Sequence, residues 1–438
     1  MVAIISTLRE ALKINAFLRI PLRQLVTAIF KEGLSINTLL AFYAQKQPHA
    51  PLFIENHSVT TYGQFYDELI YMSYALYEKG IRAGQHVGFH CDNSVALLRA
   101  VFAVERIGAT AVLLHTGRSV KGHFDFLFTE EQLEELPQRA AVNHFPRRQG
   151  KIIVQTSGTT GEPKGVQSEV QTLLAPFRAL LERMHFHTYR YVYVATPFFH
   201  GYGLAFLSAT IAAGHTVVLN RRFDATLLEV YPIEAIAVVP TLLARFCPTP
   251  ALRCVVSGSA PLQNNEGFDA ILYNLYGTSE VGLISIATPQ ERALHRDTIG
   301  KPIDKLHLTY ENGELIVNGQ YTGDLVEEKD GLLFIKGRLH DMIISGGENI
   351  FPQRVEQVMR THPRIEDAAI VGERDVRFGE CVVAYIVAVD VDEQNIIAFC
   401  KKHLANYECP KKIYFVERLP YNELGKLNRK ALSRINRL

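Results

Sequence analysis

The stretch QTSGTTGEPKGV, from Gln155 to Val166, packs hydroxyls, glycines and one lysine into a single short loop. Glycines at 158, 161 and 165 let a backbone turn tightly and approach an anion with no Cβ in the way. Ser157, Thr159 and Thr160 add hydroxyl donors, and Lys164 adds a fixed positive charge. That is the chemistry of phosphate binding. The loop is neither a Walker A sequence nor the dinucleotide G-x-G-x-x-G pattern. A flexible surface turn has a similar composition, so the loop alone leaves both readings open.

Four further constellations carry functional groups. In LYNLYGTSEVG (Leu272 to Gly282), Tyr276 can stack on a flat base, Ser279 can bond a phosphate oxygen and Glu280 can hold a hard divalent cation; Gly277 and Thr278 form the turn between them. A strand-to-turn packing motif would look alike. In YTGDL, Asp324 sits on a turn from which a carboxylate can accept both hydroxyls of a ribose, though most such turns are structural. The segment KGRLHDMIISGGENIFPQRVE (Lys336 to Glu356) offers Arg338 for a sugar or phosphate, and the Gly346-Gly347 turn leaves open backbone beside which a narrow ligand can lie. A linker capped by a Pro-initiated helix at Pro352 is the alternative. Near the C-terminus, LPYNELGKLNRKAL places Lys426 after Gly425 in what reads as a mobile turn, where an ordinary solvated lysine is the usual explanation.

Elements able to position these groups follow from the apolar pattern. Helical periodicity over Phe65 to Lys79 and Ser94 to Ile107 ends at Gly80 and Gly108. Short apolar strands are expected at His86 to His90, Thr110 to Leu114, Lys151 to Val154, Val192 to Thr196, Thr216 to Leu219, Ala235 to Val239 and Arg253 to Ser257. This alternation predicts an α/β fold with mostly parallel sheets. After about Gly300 the texture changes to small antiparallel elements, with a hairpin turning at Asn312-Gly313 and a strand from Leu332 after another Asp-Gly turn. Past Arg338, helices at Pro352 to Thr361 and Glu393 to Leu404 and strands at Ala368 to Gly372 and Val382 to Val389 predict a compact α+β unit. The expected division is an N-terminal amphipathic helical segment (1–38), a large domain (39–340) and a small C-terminal domain (341–438).

A chain of 438 residues exceeds what one hydrophobic core usually supports. A net charge of +1 gives no overall attraction to nucleic acid, so no nucleic-acid partner is expected. The six cysteines form no C-x-x-C pair and no zinc spacing, which predicts reduced thiols and a cytoplasmic location. Between Thr7 and Lys31 leucines and phenylalanines alternate with Arg and Lys. Such a segment either lies on an anionic membrane surface or packs against the body of the protein.

In this order and at these separations, the five motifs resemble the adenylate-forming superfamily of acyl-CoA synthetases, peptide-synthetase adenylation domains and luciferases. The resemblance runs from about Leu39 to the C-terminus. TPFFHGYGL (Thr196 to Leu204), VPTLLARF, SGSAPL (Ser257 to Leu262) and DMIISGGENIFP resemble bacterial long-chain fatty-acyl-CoA synthetases. The resemblance implies a large AMP-binding domain followed by a small mobile domain, with ATP, Mg²⁺ and CoA as co-substrates. It implies activation of a carboxylic acid, expected to be a medium- or long-chain fatty acid, through an acyl-adenylate.

Residue by residue, Thr156, Ser157, Gly158, Thr159, Thr160, Gly161 and Lys164 would cradle the β and γ phosphates, and Tyr276 with Gly277 and Thr278 would hold adenine. Ser279 would face the α-phosphate, Glu280 would bind Mg²⁺, and Asp324 with Arg338 would fix the ribose. Lys426 matches the family's catalytic lysine, which clamps charge building at the α-phosphorus and stays protonated at neutral pH. Asp341 matches the hinge about which the C-terminal domain rotates, bringing Gly346 and Gly347 beside the pantetheine arm of CoA.

His200, Gly201, Gly203, Ser259 and Ala260 match the acyl pocket. The small residues from Gly201 to Ala209 would leave a tunnel, though close helix packing explains them equally well. Alternatives to the fatty-acid reading are an acyl-AMP ligase loading an acyl carrier protein, an aryl-CoA ligase and a non-catalytic lipid-binding homologue. The chain is trimmed between Ser119 and Gly150 and around Gln320, outside the five motifs.

Overall fold

The computed structural model describes residues 10–432 apart from 12, 34, 118, 121, 137–147, 157–163, 168–169, 263–266, 279–280 and 423–425. The chain divides into two compact units. The first runs to Gly258 and takes in Leu262–Ala293 and Ile303–Lys305; the second comprises Ser259–Pro261, Leu294–Pro302 and Leu306–Leu438.

The first unit holds two sheets. One is built from β3 (His86–His90), β4 (Thr110–Leu113), β5 (Phe126–Thr129), β6 (Lys151–Thr156) and β7 (Lys164–Gln167), in the order β5-β3-β4-β6-β7. Its pairs are parallel except the last, where β7 folds back antiparallel on β6. The other contains β1 (Pro51–Glu55), β2 (Ser58–Thr61), β8 (Tyr191–Val194), β9 (Thr216–Leu219), β10 (Ala235–Val238), β11 (Cys254–Gly258), β12 (Leu272–Thr278) and β13 (Gly282–Ala287). They run in the order β13-β12-β11-β10-β8-β9-β1-β2, parallel from β12 to β1, with an antiparallel hairpin at either end. Every residue of β4, β9, β10 and β11 is buried, as strands covered on both faces require. The α/β expectation is met here.

Local chemistry sets the helix ends. Ser94 accepts the Leu97 N–H at the start of Val95–Ile107, and Gly108 closes it in the left-handed region at φ 92°. The helix expected from Phe65 begins at Tyr62, because Thr61 and Gln64 form a capping box across its first turn.

The N-terminal segment packs on this unit. Residues 13–18 are helical, Arg19 (φ 50°) and Pro21 break the run, and Leu22–Glu32 resumes it. Glu10 pairs with Arg178 and Lys305, each at 2.8 Å, and buried Glu32 pairs with buried Arg106 at 2.8 Å while accepting the Tyr66 hydroxyl at 2.6 Å. Of the two readings of this segment, packing is the one these contacts describe. Among the described residues no helix is long and apolar enough to cross a membrane.

The second unit opens with the two-residue β14 (Lys301–Pro302) and an antiparallel sheet of β15 (Leu308–Glu311), β16 (Glu314–Val317), β17 (Gln320–Lys329) and β18 (Leu332–Arg338). Asn312 (φ 50°) and Gly313 (φ 83°) make its first turn, as the dipeptide predicts. A turn at Leu339–Asp341 leads to a second sheet of β19 (Ile343–Ser345), β20 (Glu348–Ile350), β21 (Ile365–Asp375), β22 (Gly379–Ala388) and β23 (Lys412–Phe415). Helices Pro352–Arg360 and Glu393–His403 bury Val355, Met359, Ile396 and Cys400 against its apolar face. The compact unit thus begins upstream of Asp341, and Asp341 lies on the turn between its two sheets.

Candidate active site

The glycine-rich loop is the tip of a hairpin. Thr156 pairs with Lys164, Gln155 with Gly165 and Val154 with Val166, so the loop leaves the C-terminal end of a parallel strand and returns antiparallel. Ligands of parallel sheets bind at such ends. Ser157, Gly158, Thr159, Thr160 and Gly161 lie outside the described residues. The return strand is absent from the sequence reading, which counted Lys164 as loop.

Hairpin β12–β13 repeats the arrangement. Tyr276 is buried on β12 at 8% exposure. A Cβ at Gly277 would come within 2.3 Å of the Gly282 carbonyl oxygen, so the two backbones meet only because position 277 has no side chain. Thr278 Oγ1 accepts the Val281 N–H at 3.3 Å across the turn, and Ser279 and Glu280 lie outside the described residues. Among the described residues no cluster of His, Cys, Asp or Glu suits a metal ion.

The loop from Thr196 to His200 joins β8 to the helix Gly201–Ala212, which His200 precedes as its N-terminal cap residue. Asn93 holds that loop: its Nδ2 donates to the Thr196 carbonyl at 3.0 Å and its Oδ1 accepts the Phe198 N–H at 2.8 Å, all buried. The His200 ring stands edge-on to His115, with centroids 5.5 Å apart, and Phe199 lies 4.8 Å from His115 and 4.7 Å from His200. His115 Nδ1 accepts the Gly117 N–H at 3.0 Å, which leaves the ring proton on Nε2. Gly201 and Ala205 are exposed, whereas a Cβ at Gly203 would lie 2.3 Å from the Pro197 carbonyl oxygen. Close packing therefore explains Gly203. Thr196 Oγ1 and Ser257 Oγ, at the C-terminal ends of β8 and β11, are buried without a hydrogen-bond partner among the described residues. Asn93, His115 and the Thr196 hydroxyl went unread in the sequence. The signal for Thr196 and Ser257 was a hydroxyl ending an otherwise apolar strand.

The second unit brings Asp324 and Arg338 together across β17 and β18. They are direct cross-strand partners, with Arg338 Nε 2.9 Å from Asp324 Oδ1. The Asp324 side chain is 3% exposed and that of Arg338 is 53% exposed. Ser259, with φ 73°, is held in the left-handed region, and Ala260 follows it half-buried. Gly346 (φ 62°) and Gly347 (φ 90°) form the turn from β19 to β20, with the Gly346 N–H donating to the Phe378 carbonyl at 2.8 Å. Asp341 Oδ2 lies 3.4 Å from Arg429 Nε and 3.5 Å from Gln353 Nε2.

The turn expected before Lys426, at 423–425, lies outside the described residues, and Lys426 itself is bonded to the residue on the turn's other side. Its N–H donates to Asn422 Oδ1 and its carbonyl accepts the Asn422 N–H, both at 2.9 Å, while Tyr421 bridges to Leu427.

The chain matches the family model of the AMP-binding enzyme over residues 40–142 and 123–346, and that of the AMP-binding enzyme C-terminal domain over 354–426. It is 29% identical to 2-succinylbenzoate--CoA ligase of Bacillus pumilus, over 85% of this chain and 92% of that protein. Its fold resembles o-succinylbenzoate CoA synthetase of Bacillus subtilis in complex with the acyl-adenylate intermediate OSB-AMP, at TM-score 0.80 and 25% identity over 91% of this chain and 98% of that one. The same synthetase in complex with ATP and magnesium ion gives TM-score 0.80 and 25% identity, over 90% and 99%. These relatives correct the expected likeness to long-chain fatty-acyl-CoA synthetases: the small residues that suggested a tunnel include one fixed by backbone packing, and they do not distinguish an aliphatic from an aromatic acid. With both family models covering most of its length, the chain belongs to the AMP-binding enzymes of the adenylate-forming superfamily.

Proposed function

We propose that this protein is an AMP-forming acid–thiol ligase acting on an aromatic acid of the 2-succinylbenzoate kind. A carboxylate is a poor acyl donor because oxide would have to leave. Attack of the carboxylate oxygen on the α-phosphorus of ATP expels pyrophosphate and gives a mixed anhydride. The CoA thiol then attacks the acyl carbon, releasing AMP and a proton and forming the thioester. The observation that carries the substrate class is the likeness to 2-succinylbenzoate ligases over 85% of the chain. The cluster of His115, Phe199 and His200 adds support, since flat rings and an imidazole N–H suit an aryl carboxylate better than a methylene chain.

In this reading the hairpin tip from Thr156 to Lys164 receives the β and γ phosphates of ATP. Tyr276, Gly277 and Thr278 serve the base, and Ser279 serves the α-phosphate. Asp324 accepts from the ribose hydroxyls, and Arg338 orients its carboxylate across the strand pair. Glu280 together with the phosphate oxygens of ATP would supply the hard ligands that Mg²⁺ prefers, and the ion would there offset the charge of the phosphates. Lys426 stabilises the charge that develops as the carboxylate attacks. His200 and His115, with Gly201, Gly203, Ser259 and Ala260, serve the acid, while Gly346 and Gly347 serve the pantetheine arm. Asp341 serves as the hinge.

A CoA-ligation panel of 2-succinylbenzoate, benzoate, malonate and fatty acids of increasing length tests the reading. Turnover greatest with 2-succinylbenzoate is expected; preference for an unbranched aliphatic acid would overturn the substrate class.

A further inference from the structure

Three residues after Lys426, Arg429 opens the short helix Arg429–Leu432. Its guanidinium makes two unequal contacts. On one side Nη2 lies 2.8 Å from Oε1 of Glu356, a buried carboxylate on the helix Pro352–Arg360 whose Oε1 also accepts the Ile370 N–H at 2.9 Å. Burial raises the Glu356 carboxyl above its usual range and the Arg429 charge draws it back, so this arm is a desolvated pair in which each charge needs the other. On the other side Nε lies 3.4 Å from Asp341 Oδ2, a separation at which this buried N–H completes no hydrogen bond. Asp341 is 32% exposed, and its other neighbour, Gln353, sits at the 3.5 Å limit.

The upstream flank of the lysine loop has its own anchor. The Tyr421 hydroxyl donates to Asp367 Oδ2 at 2.7 Å, and Asp367 Oδ1 accepts from Arg360 Nε at 2.9 Å. Two firm anchors therefore tie the flanks of the loop to the helix Pro352–Arg360 and to β21. One loose ion pair ties the loop to the turn between the sheets.

We propose that Arg429 is a positioning residue for Lys426 and that its pair with Asp341 is a releasable latch. The latch holds the lysine loop to the Leu339–Asp341 turn during adenylation and opens for thioester formation, while the Glu356 arm stays closed throughout. This inference rests on the two-step reaction proposed above. Asp341 then has a side-chain role separate from any swivel of its backbone, because Asp341→Asn keeps the backbone and removes only the charge.

The test measures the two half-reactions in the full chain: acid-dependent exchange of pyrophosphate into ATP, and release of acyl-CoA from chemically prepared 2-succinylbenzoyl-adenylate. Asp341→Asn is expected to slow exchange by up to about fivefold, the range of a half-exposed ion pair, and to slow the second step by less, so that the ratio of the two rates shifts toward thioester formation. Arg429→Ala is expected to slow exchange by roughly a hundredfold, Arg429→Lys to recover most of it, and Asp341→Asn added to Arg429→Ala to cost nothing more. The pair Arg429→Ala with Glu356→Gln removes the orphaned buried charge and keeps the comparison sound where Arg429→Ala alone fails to fold. Equal slowing of both half-reactions by Asp341→Asn, or additive losses in the double variant, would overturn the latch. Amide hydrogen exchange of Asn422, Lys426 and Asn428 reads the latch without turnover: faster exchange in Asp341→Asn is expected, and unchanged exchange refutes it. Absence of acid-dependent exchange in the wild-type protein would instead refute the proposed reaction.

Discussion

Replacing Asn93 isolates how the loop proposed to bind the acid is held. Its side chain closes two hydrogen bonds at once, accepting from Phe198 at 2.8 Å and donating to the Thr196 carbonyl at 3.0 Å, and both residues are fully buried. Asn93→Ala leaves one buried donor and one buried acceptor unpaired. At about 1–3 kcal/mol for each orphaned group, less what a single entering water restores, a loss of about 2–4 kcal/mol is expected. Asn93→Asp keeps the acceptor for Phe198 but sets a carboxylate against the Thr196 carbonyl. It should cost at least as much as Ala at neutral pH and recover in part when acid protonates it into a donor. Because the loop ends at His200, both variants should raise KM for the acid while leaving KM for ATP near its original value. Urea unfolding and steady-state kinetics with each substrate varied in turn provide the assay. Stability within 0.5 kcal/mol of wild type with an unchanged acid KM would refute the reasoning, and so would an equal rise in both KM values.

Gly277→Ala forces the β12–β13 backbones apart at a 2.3 Å contact and is expected to raise KM for ATP at least tenfold, which nucleotide titration would show. Arg338→Ala takes the guanidinium away from the buried Asp324 carboxylate; ATP binding should weaken, and Arg338→Lys should restore only part of it because a point charge replaces a fork. Glu105, which accepts from Asn37 beside Glu32 and Arg106, has its carboxyl pushed up by burial from 4.5 to about 7. The folded state keeps a proton there that the unfolded state has lost. Its stabilising effect is full below about pH 4.5 and falls as pH rises through about 7, by about 3 kcal/mol in all. Glu105→Gln should flatten that part of the stability profile, as thermal unfolding between pH 4.5 and 8 would reveal.

Features fixed by neighbours in the chain were legible. Ser94 and Gly108 bracket their helix as cap residues do, Asn312-Gly313 turns its hairpin, and unbroken apolar runs became strands covered on both faces. Features fixed by distant partners were not. Asn93 sits in an Asp-Asn-Ser run that reads as a turn, and its partner carbonyl lies 103 residues away. Asp324 and Arg338 were joined at the ribose by resemblance alone, and their direct contact depends on the register of β17 and β18. Lys426 stands in a polar tail, and only the contacts of Asn422 and Tyr421 show it to be fastened. The acid escaped because a small residue lining a tunnel and a small residue under a crossing backbone are the same letter. Gly203 is the second kind.

The pairing of Thr156 with Lys164 makes the hairpin stem a counter of chain length. Strand residues alternate between faces, so one residue added within Lys151–Thr156 would swap the faces of everything between the insertion and the tip, and two would restore them. Insertions in the stem should therefore be tolerated in even steps, whereas insertions at the tip should change function gradually. A ladder of one to four inserted residues would tell the two regimes apart by parity alone.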